Sequence, residues 1–103
     1  MQIQVSTDHN IAGHEALAAH VNGIVETALS RFSNQITRVE VHLSDENADK
    51  GGQRDKRCVM EVRIEHRGPI AVTEHAATVD LAARGAADKL SRLLESTLHR
   101  AAR

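Results

Sequence analysis

The residue pattern predicts a two-layer α+β sandwich of order β-α-β-β-β-α, a four-stranded mixed sheet with two helices on one face. Two long segments repeat their apolar residues every three or four positions, as a core-facing helix does. Four short segments alternate apolar and polar residues instead, the pattern of a strand with one wet face. A helix between the first two strands implies a right-handed crossover and parallel pairing, whereas the later strands join through turns that leave antiparallel neighbours. With 103 residues, the chain has room for one compact domain over 1–103 and none for a second.

Strand one is Gln2-Ile3-Gln4-Val5-Ser6, alternating with period two. Helix one runs from Gly13 to Phe32, where Leu17, Val21, Ile24, Val25, Ala28, Leu29 and Phe32 form one apolar stripe. Gly13 falls in the N-cap region and Glu15 suits the positive helix end. Asn34 tolerates a left-handed backbone and marks the exit. Strand two, Ile36 to Leu43, alternates Val39, Val41 and Leu43 with Arg38, Glu40 and His42. Residues Asp45 to Lys56 hold Asn47, Asp49, Gly51, Gly52 and Asp55 with almost nothing apolar, and read as a flexible connection.

Strand three follows, with Cys58, Met60, Val62 and Ile64 facing one way and Val59, Glu61, Arg63 and Glu65 the other. Gly68-Pro69 is placed to turn it into strand four, Ile70-Ala71-Val72-Thr73. Helix two extends from about Ala77 to His99 and buries Val79, Ala82, Ala83, Ala86, Leu90, Leu93, Leu94 and Leu98. Gly85 inside it costs about 1 kcal/mol relative to alanine, which predicts a close backbone approach there. Its polar side carries Arg84, Asp88, Arg92, Glu95 and His99 at i,i+4 spacing.

Composition narrows the function classes. No apolar run approaches the roughly 20 residues that span a bilayer, and the start of the chain lacks the basic head of a signal peptide, so a cytoplasmic protein without a membrane partner is expected. The lone Cys58 fits a reducing compartment and a packed thiol. With no Trp or Tyr and only Phe32, the chain lacks the aromatic platforms on which single-stranded nucleic acids stack.

Catalytic and metal chemistry find little support. The seven histidines show no i,i+4 pair and no HExxH spacing; His66 and His75 lie on two arms of one hairpin but lack a third ligand. Neither phosphate-binding loop pattern, GxxxxGK[ST] or GxGxxG after a strand, is present. Glu61 and Glu65 are explained by strand alternation. The expectation is a non-enzyme with no cofactor, no metal and no small-molecule substrate.

Charge carries the remaining signal. Residues 1–50 hold seven acids against Arg31, Arg38 and Lys50, a balance of −4, and residues 51–103 hold seven acids against ten bases, a balance of +3. Any anion-binding surface therefore belongs to the second half. Arg84, Lys89, Arg92, Arg100 and Arg103 project from helix two and its tail against Asp88 and Glu95, an edge suited to a phosphate backbone.

At these residues the chain resembles the ribosome hibernation-promoting factors, also called the ribosome-associated inhibitor or sigma-54 modulation family. The resemblance rests on the opening Met1-Gln2-Ile3, Glu15-Ala16-Leu17 early in helix one, strand two, and Asp88-Lys89-Leu90-Ser91-Arg92 in helix two. It implies two helices on one side of a four-stranded sheet, similar to double-stranded RNA-binding domains. It also implies binding to ribosomal RNA in the small-subunit channel used by mRNA and tRNA, so that translation stops under stress. The chain would be a short form, with Arg84, Lys89 and Arg92 as principal phosphate contacts and Arg31 and Arg100 as secondary ones. Family members usually display several lysines on helix one; here His14, His20, Asn22, Glu26 and Thr27 occupy exposed positions and Arg31 is the only base.

A competing reading is a diverged, non-ribosomal interaction module that binds a protein through an acidic sheet face of Glu40, Glu61 and Glu65. A continuous positive groove between the helices favours the first reading, and scattered charges favour the second. A weak homodimer through an exposed strand edge is a further expectation.

Overall fold

The computed structural model describes residues 1–8, 11, 13–46 and 56–101, the last two as backbone only. His9, the polar connection at 47–55 and Arg103 lie outside the described residues. The elements are β1 (Gln2–Thr7), α1 (His14–Leu29), a 3₁₀ turn (Ser30–Phe32), β2 (Ile36–Asp45), β3 (Lys56–Ile64), β4 (Ile70–Ala76) and α2 (Val79–Ala101). The predicted order β-α-β-β-β-α holds. The sheet order is β1-β2-β3-β4, with β1 parallel to β2 and the other pairs antiparallel.

Both helices pack on one face. Val21, Val25 and Leu29 sit one turn apart on α1 and are fully buried, each contributing about 1.5–3 kcal/mol of apolar burial. α2 contributes Ala82, Ala83, Ala86, Ala87, Leu90 and Leu94. The alanines at the start of α2 let its backbone lie close to the sheet, and the leucines beyond fill the wider end. Leu93, expected inside, is 39% exposed. It follows Lys89 by four residues, on the flank that faces β4 rather than on the buried stripe.

Ile36 and Val39 are both buried although they stand three positions apart, which strict alternation forbids. The register shift between Ile36 and Arg38 resolves this, because an extra residue returns both side chains to the core. Thr37 occupies the irregularity and donates its hydroxyl to Arg63 O at 3.2 Å.

Three boundaries differ from the sequence expectation. The chain reverses after β3 at His66, which takes φ 65, with Arg67 N–H donating to Ile64 O at 3.1 Å. Gly68-Pro69 only leads into β4. α1 exits through the 3₁₀ turn, and Asn34 does not take the left-handed conformation. Gly13 does adopt it, at φ 70, just before α1. α2 begins at Val79, preceded by Thr78, whose hydroxyl accepts from Leu81 N–H at 3.1 Å, an N-cap worth about 1 kcal/mol.

Candidate nucleic-acid interface

The face of the helical layer that looks away from the sheet is split by a groove of about 570 Å³ between α1 and α2. Gly23, Ile24, Ala28 and Ala87 line it together with the polar His20, Thr27, Arg84, Asp88 and Ser91. The groove exists because the facing turns of the two helices carry glycine and alanine where larger side chains would meet.

Arg84 lies on the α2 wall. Its Nε donates to the Asp80 carboxylate at 3.0 and 3.1 Å, one turn earlier on the same helix. The Asp80 carboxylate also accepts from His20 Nε2 at 2.6 Å, so it ties α1 to α2 across the groove. The His20 hydrogen bond first, and Arg84 second, hold the Asp80 carboxyl below the usual carboxylate range. The edge balance read from the sequence left Asp80 out; with it, the basic surplus of α2 falls by one. Arg84 and Asp80 stand at helical i,i+4 spacing, so that pair was legible, but His20 lies 60 residues away and left no local trace.

Arg92 pairs with Asp88 at 3.1 Å and is the most open of the described candidates, its side chain 79% exposed. Arg31 reaches from the 3₁₀ turn to Glu95 and Ser91 on α2, each at 3.2 Å, with its guanidinium 4.7 Å above the Phe32 ring. Arg84 therefore lines the groove, Arg31 and Arg92 border it through their bonds to its lining residues Ser91 and Asp88, and Arg100 belongs to the last turn of α2.

Lys89 is placed elsewhere. Its ammonium turns toward β4, donating to Thr73 O at 3.0 Å and pairing with Glu74 Oε1 at 3.0 Å. The groove is thus bordered by alternating charges. Exposed pairs of this kind contribute about 0–1 kcal/mol and open readily.

Other candidates separate. Cys58 is fully buried under α2, and burial first, with the Glu74 charge second, pushes its thiol up to about 12. His66 and His75 do not meet, because His75 pairs with Arg57 at the start of β3 and His66 follows the end of β3. Among the described residues no cluster of three or more His, Cys, Asp or Glu side chains could hold a metal ion. No helix among them is long and apolar enough to cross a membrane.

The sheet face opposite the helices is not acidic as expected: Arg38, Arg57 and Arg63 alternate there with Glu40 and Glu61, and Glu65 lies beyond the end of β3.

Two solved structures share this architecture. The N-terminal domain of Protein Y from Thermus thermophilus matches with a TM-score of 0.66 and 20% identity, over 94% of this chain and 99% of that one. A ribosomal subunit interface protein from Coxiella burnetii matches with a TM-score of 0.70 and 16% identity, over 96% of this chain and 99% of that one. At these identities the likeness is one of fold. Among curated proteins none matches the sequence closely enough to be called a relative. Over residues 3–101 the sequence fits the sigma 54 modulation protein / S30EA ribosomal protein family, and the chain belongs to that family.

Proposed function

We propose that this protein is a ribosome-associated translation inhibitor that occupies the small-subunit channel used by mRNA and tRNA, contacts ribosomal RNA there, and acts in the cytoplasm under stress. The observation that carries the reading is the α1–α2 groove bordered by Arg31, Arg84 and Arg92 in a chain of this family. Its mechanism is occupation rather than catalysis. Phosphate contacts fix the orientation of the domain, and the width of the helical layer fills space that a messenger would need.

Arg84 and Arg92 are the first phosphate contacts in this proposal, with Arg31 and Arg100 next. Each described arginine leaves an acid on the same face to reach phosphate, and because exposed pairs are worth little, the exchange costs little. The acids that remain repel phosphate, so affinity rests on few net contacts and falls steeply with salt. Lys89 contributes only after leaving Glu74 and Thr73 O on the β4 flank, away from the groove.

The test is co-sedimentation with purified small ribosomal subunits through a salt series. Stoichiometric binding that weakens as salt rises, and that weakens further in Arg84→Ala/Arg92→Ala, supports the reading. Absence of binding at low salt overturns it and favours the interaction module, the reading that the acid beside every described arginine of the groove supports.

A further inference from the structure

The two outer strands of the sheet are built differently. β4 has α2 along its flank, with Lys89 Nζ donating to Thr73 O at 3.0 Å. A lysine at an edge is one of the devices that keep a foreign strand away. β1 carries no such device: Gln2–Thr7 holds no charged residue and no proline, and its register against β2 is unbroken. No described segment pairs with its outer side.

The backbone of that edge is open at alternate residues. Asp8 N–H donates to Leu43 O at 3.0 Å, so Asp8 faces β2. The N–H and C=O of one residue point to the same side of a strand, and the side reverses at the next residue. Gln2, Gln4 and Ser6 therefore face β2, and Ile3, Val5 and Thr7 present donor and acceptor outward. On the helix side of the edge, Ala18, Ala19, Asn22 and Gly23 of α1 leave a cleft of about 510 Å³ above Ile3 and Val5, both only half-buried. The charges of the opposite face sit on β2 and β3 in like rows, Arg38 opposite Arg63 and Glu40 opposite Glu61, each arginine paired with the glutamate of its own strand. β1 adds amides and a hydroxyl there, Gln4 Oε1 accepting from Arg38 Nη2.

We propose that the β1 edge is a homodimer interface, to which β1 of a second copy adds antiparallel. With the two-fold axis normal to the sheet at Gln4, Ile3 of each copy stands opposite Val5 of the other, and their outward groups exchange N–H···O bonds. Gln4 stands opposite its own copy, where two uncharged amides meet without repulsion. Because Gln4 is the middle of residues 1–7, the two strands overlap along their whole length. Both copies keep their helices on the same side, and the two α1 helices run antiparallel over the joint. Asn22 is the middle of the cleft-lining stretch 18–26, so Glu26 of each copy comes toward Ala18 of the other and not toward its own counterpart. The small side chains at 18, 19 and 23 permit an interaxial distance of about 8–10 Å.

A second copy fits this edge better than a free peptide. Its strand is already extended and open on one side, so pairing costs little chain entropy, and it brings an α1 to fill the upper part of the cleft. A nucleic acid would meet Glu26 at the rim. Seven residues span about 24 Å, and one sheet with one helix layer is about 20 Å deep, so the two faces together cover about 1,000 Å², at the lower limit for a specific interface. The dimer is therefore weak, and its neutral contact makes it nearly indifferent to salt. It leaves both α1–α2 grooves exposed and does not depend on the ribosomal reading.

The experiment is sedimentation equilibrium of the full chain from micromolar to millimolar concentration at low and high salt, followed by cysteine cross-linking. Wild type dimerises at millimolar concentration, and salt changes the dissociation constant less than about threefold. Gln4→Lys and Asn22→Lys, which each set two ammonium groups together near the axis, weaken self-association about tenfold with the circular dichroism spectrum unaltered. Arg84→Ala leaves it unchanged. Directly opposite residues that are not hydrogen-bonded have Cα atoms about 4.5 Å apart, within reach of a disulfide. Gln4→Cys therefore links to its own copy in oxidised glutathione, whereas Gln2→Cys, opposite Ser6, does not; Cys58 is fully buried and takes no part. Wild type that stays monomeric at millimolar concentration overturns the proposal and leaves the edge to a foreign strand. Equal cross-linking at positions 2 and 4 overturns it as well, because only residue 4 lies on the axis.

Discussion

Lys89 Nζ lies 3.0 Å from Glu74 Oε1, an ion pair between α2 and the core-facing side of β4. Glu74 follows Ile70 and Val72 on the inward register of its strand and stands opposite Cys58, so its carboxylate lies at the margin of the apolar layer. The helix makes room for it at Gly85. A β-carbon there would come 2.8 Å from Glu74 Cγ and 3.0 Å from Cδ. The close approach expected from a glycine inside a helix is thus made by a carboxylate, with Lys89 one turn later to neutralise it.

Gly85→Ala should therefore be coupled to Glu74. In the native background the methyl group displaces Glu74 and offsets the gain in helix propensity. In a Glu74→Ala background the same change should stabilise the fold by about 1 kcal/mol. A double-mutant cycle from urea unfolding reads the coupling, and strict additivity would show that the two side chains do not compete for space.

Lys89→Met should destabilise the fold by roughly 0.5–1.5 kcal/mol, because it removes the Lys89 ion pair with the largely covered Glu74 carboxylate and the hydrogen bond to Thr73 O. Arg92→Ala, which removes only an exposed pair, should leave the melting temperature nearly unchanged. Equal effects of the two substitutions on thermal melting would contradict the placement of Lys89 on the β4 flank.

Asp88→Asn and Glu95→Gln should strengthen binding to small ribosomal subunits, each by about threefold to tenfold at low salt, because each frees an arginine and removes a repelling charge. Co-sedimentation in the same salt series measures this. Weaker binding by either variant would mean that the acids, not the arginines, face the ribosome.

Asp80 provides a pH dependence of stability. Its folded carboxyl is held below the usual range by His20 and then Arg84. Its contribution is present above the ordinary carboxylate pKa and disappears as pH falls through the lower folded value. Asp80→Asn should accordingly be less stable than wild type at neutral pH, and the two should converge as acid protonates the carboxylate. Thermal melts from neutral pH down to about pH 2 follow the convergence.

Cys58 should resist alkylation in the folded protein. With its thiol pushed up to about 12, the thiolate is roughly a thousandfold scarcer than for an ordinary cysteine near neutral pH. Its contribution to stability is intact below the ordinary thiol pKa and is lost as pH rises through that range toward 12. Iodoacetamide labelling should track global unfolding in denaturant, and rapid labelling of native protein would refute the burial.

The elements were legible in the sequence because each follows from a period: two for Cys58 to Ile64 and three to four for Val21 to Leu29. Periodicity depends only on neighbours along the chain. It failed where one residue changes the phase, as at Thr37, and at the hairpin, where glycine and proline pointed to 68–69 while His66 took the positive φ. Spacing alone puts Leu93 inside, but the flank of a helix and its buried stripe differ by less than one turn.

The sequence alone determined the two-layer architecture, the parallel first pair of strands, the groups of side chains that share a face, and the resemblance to the family, since these depend on residue order and local stereochemistry. Only the tertiary structure decided which charges meet. His20 with Asp80, Arg31 with Glu95, Lys89 with Glu74 and the like-charge rows of β2 and β3 join residues distant in sequence. A composition of 13 bases against 14 acids is compatible with a basic groove or with a nearly neutral one. Which of the two forms depends on distances of about 3 Å between elements, because the energy of an ion pair varies inversely with separation and strand register and helix placement set that separation.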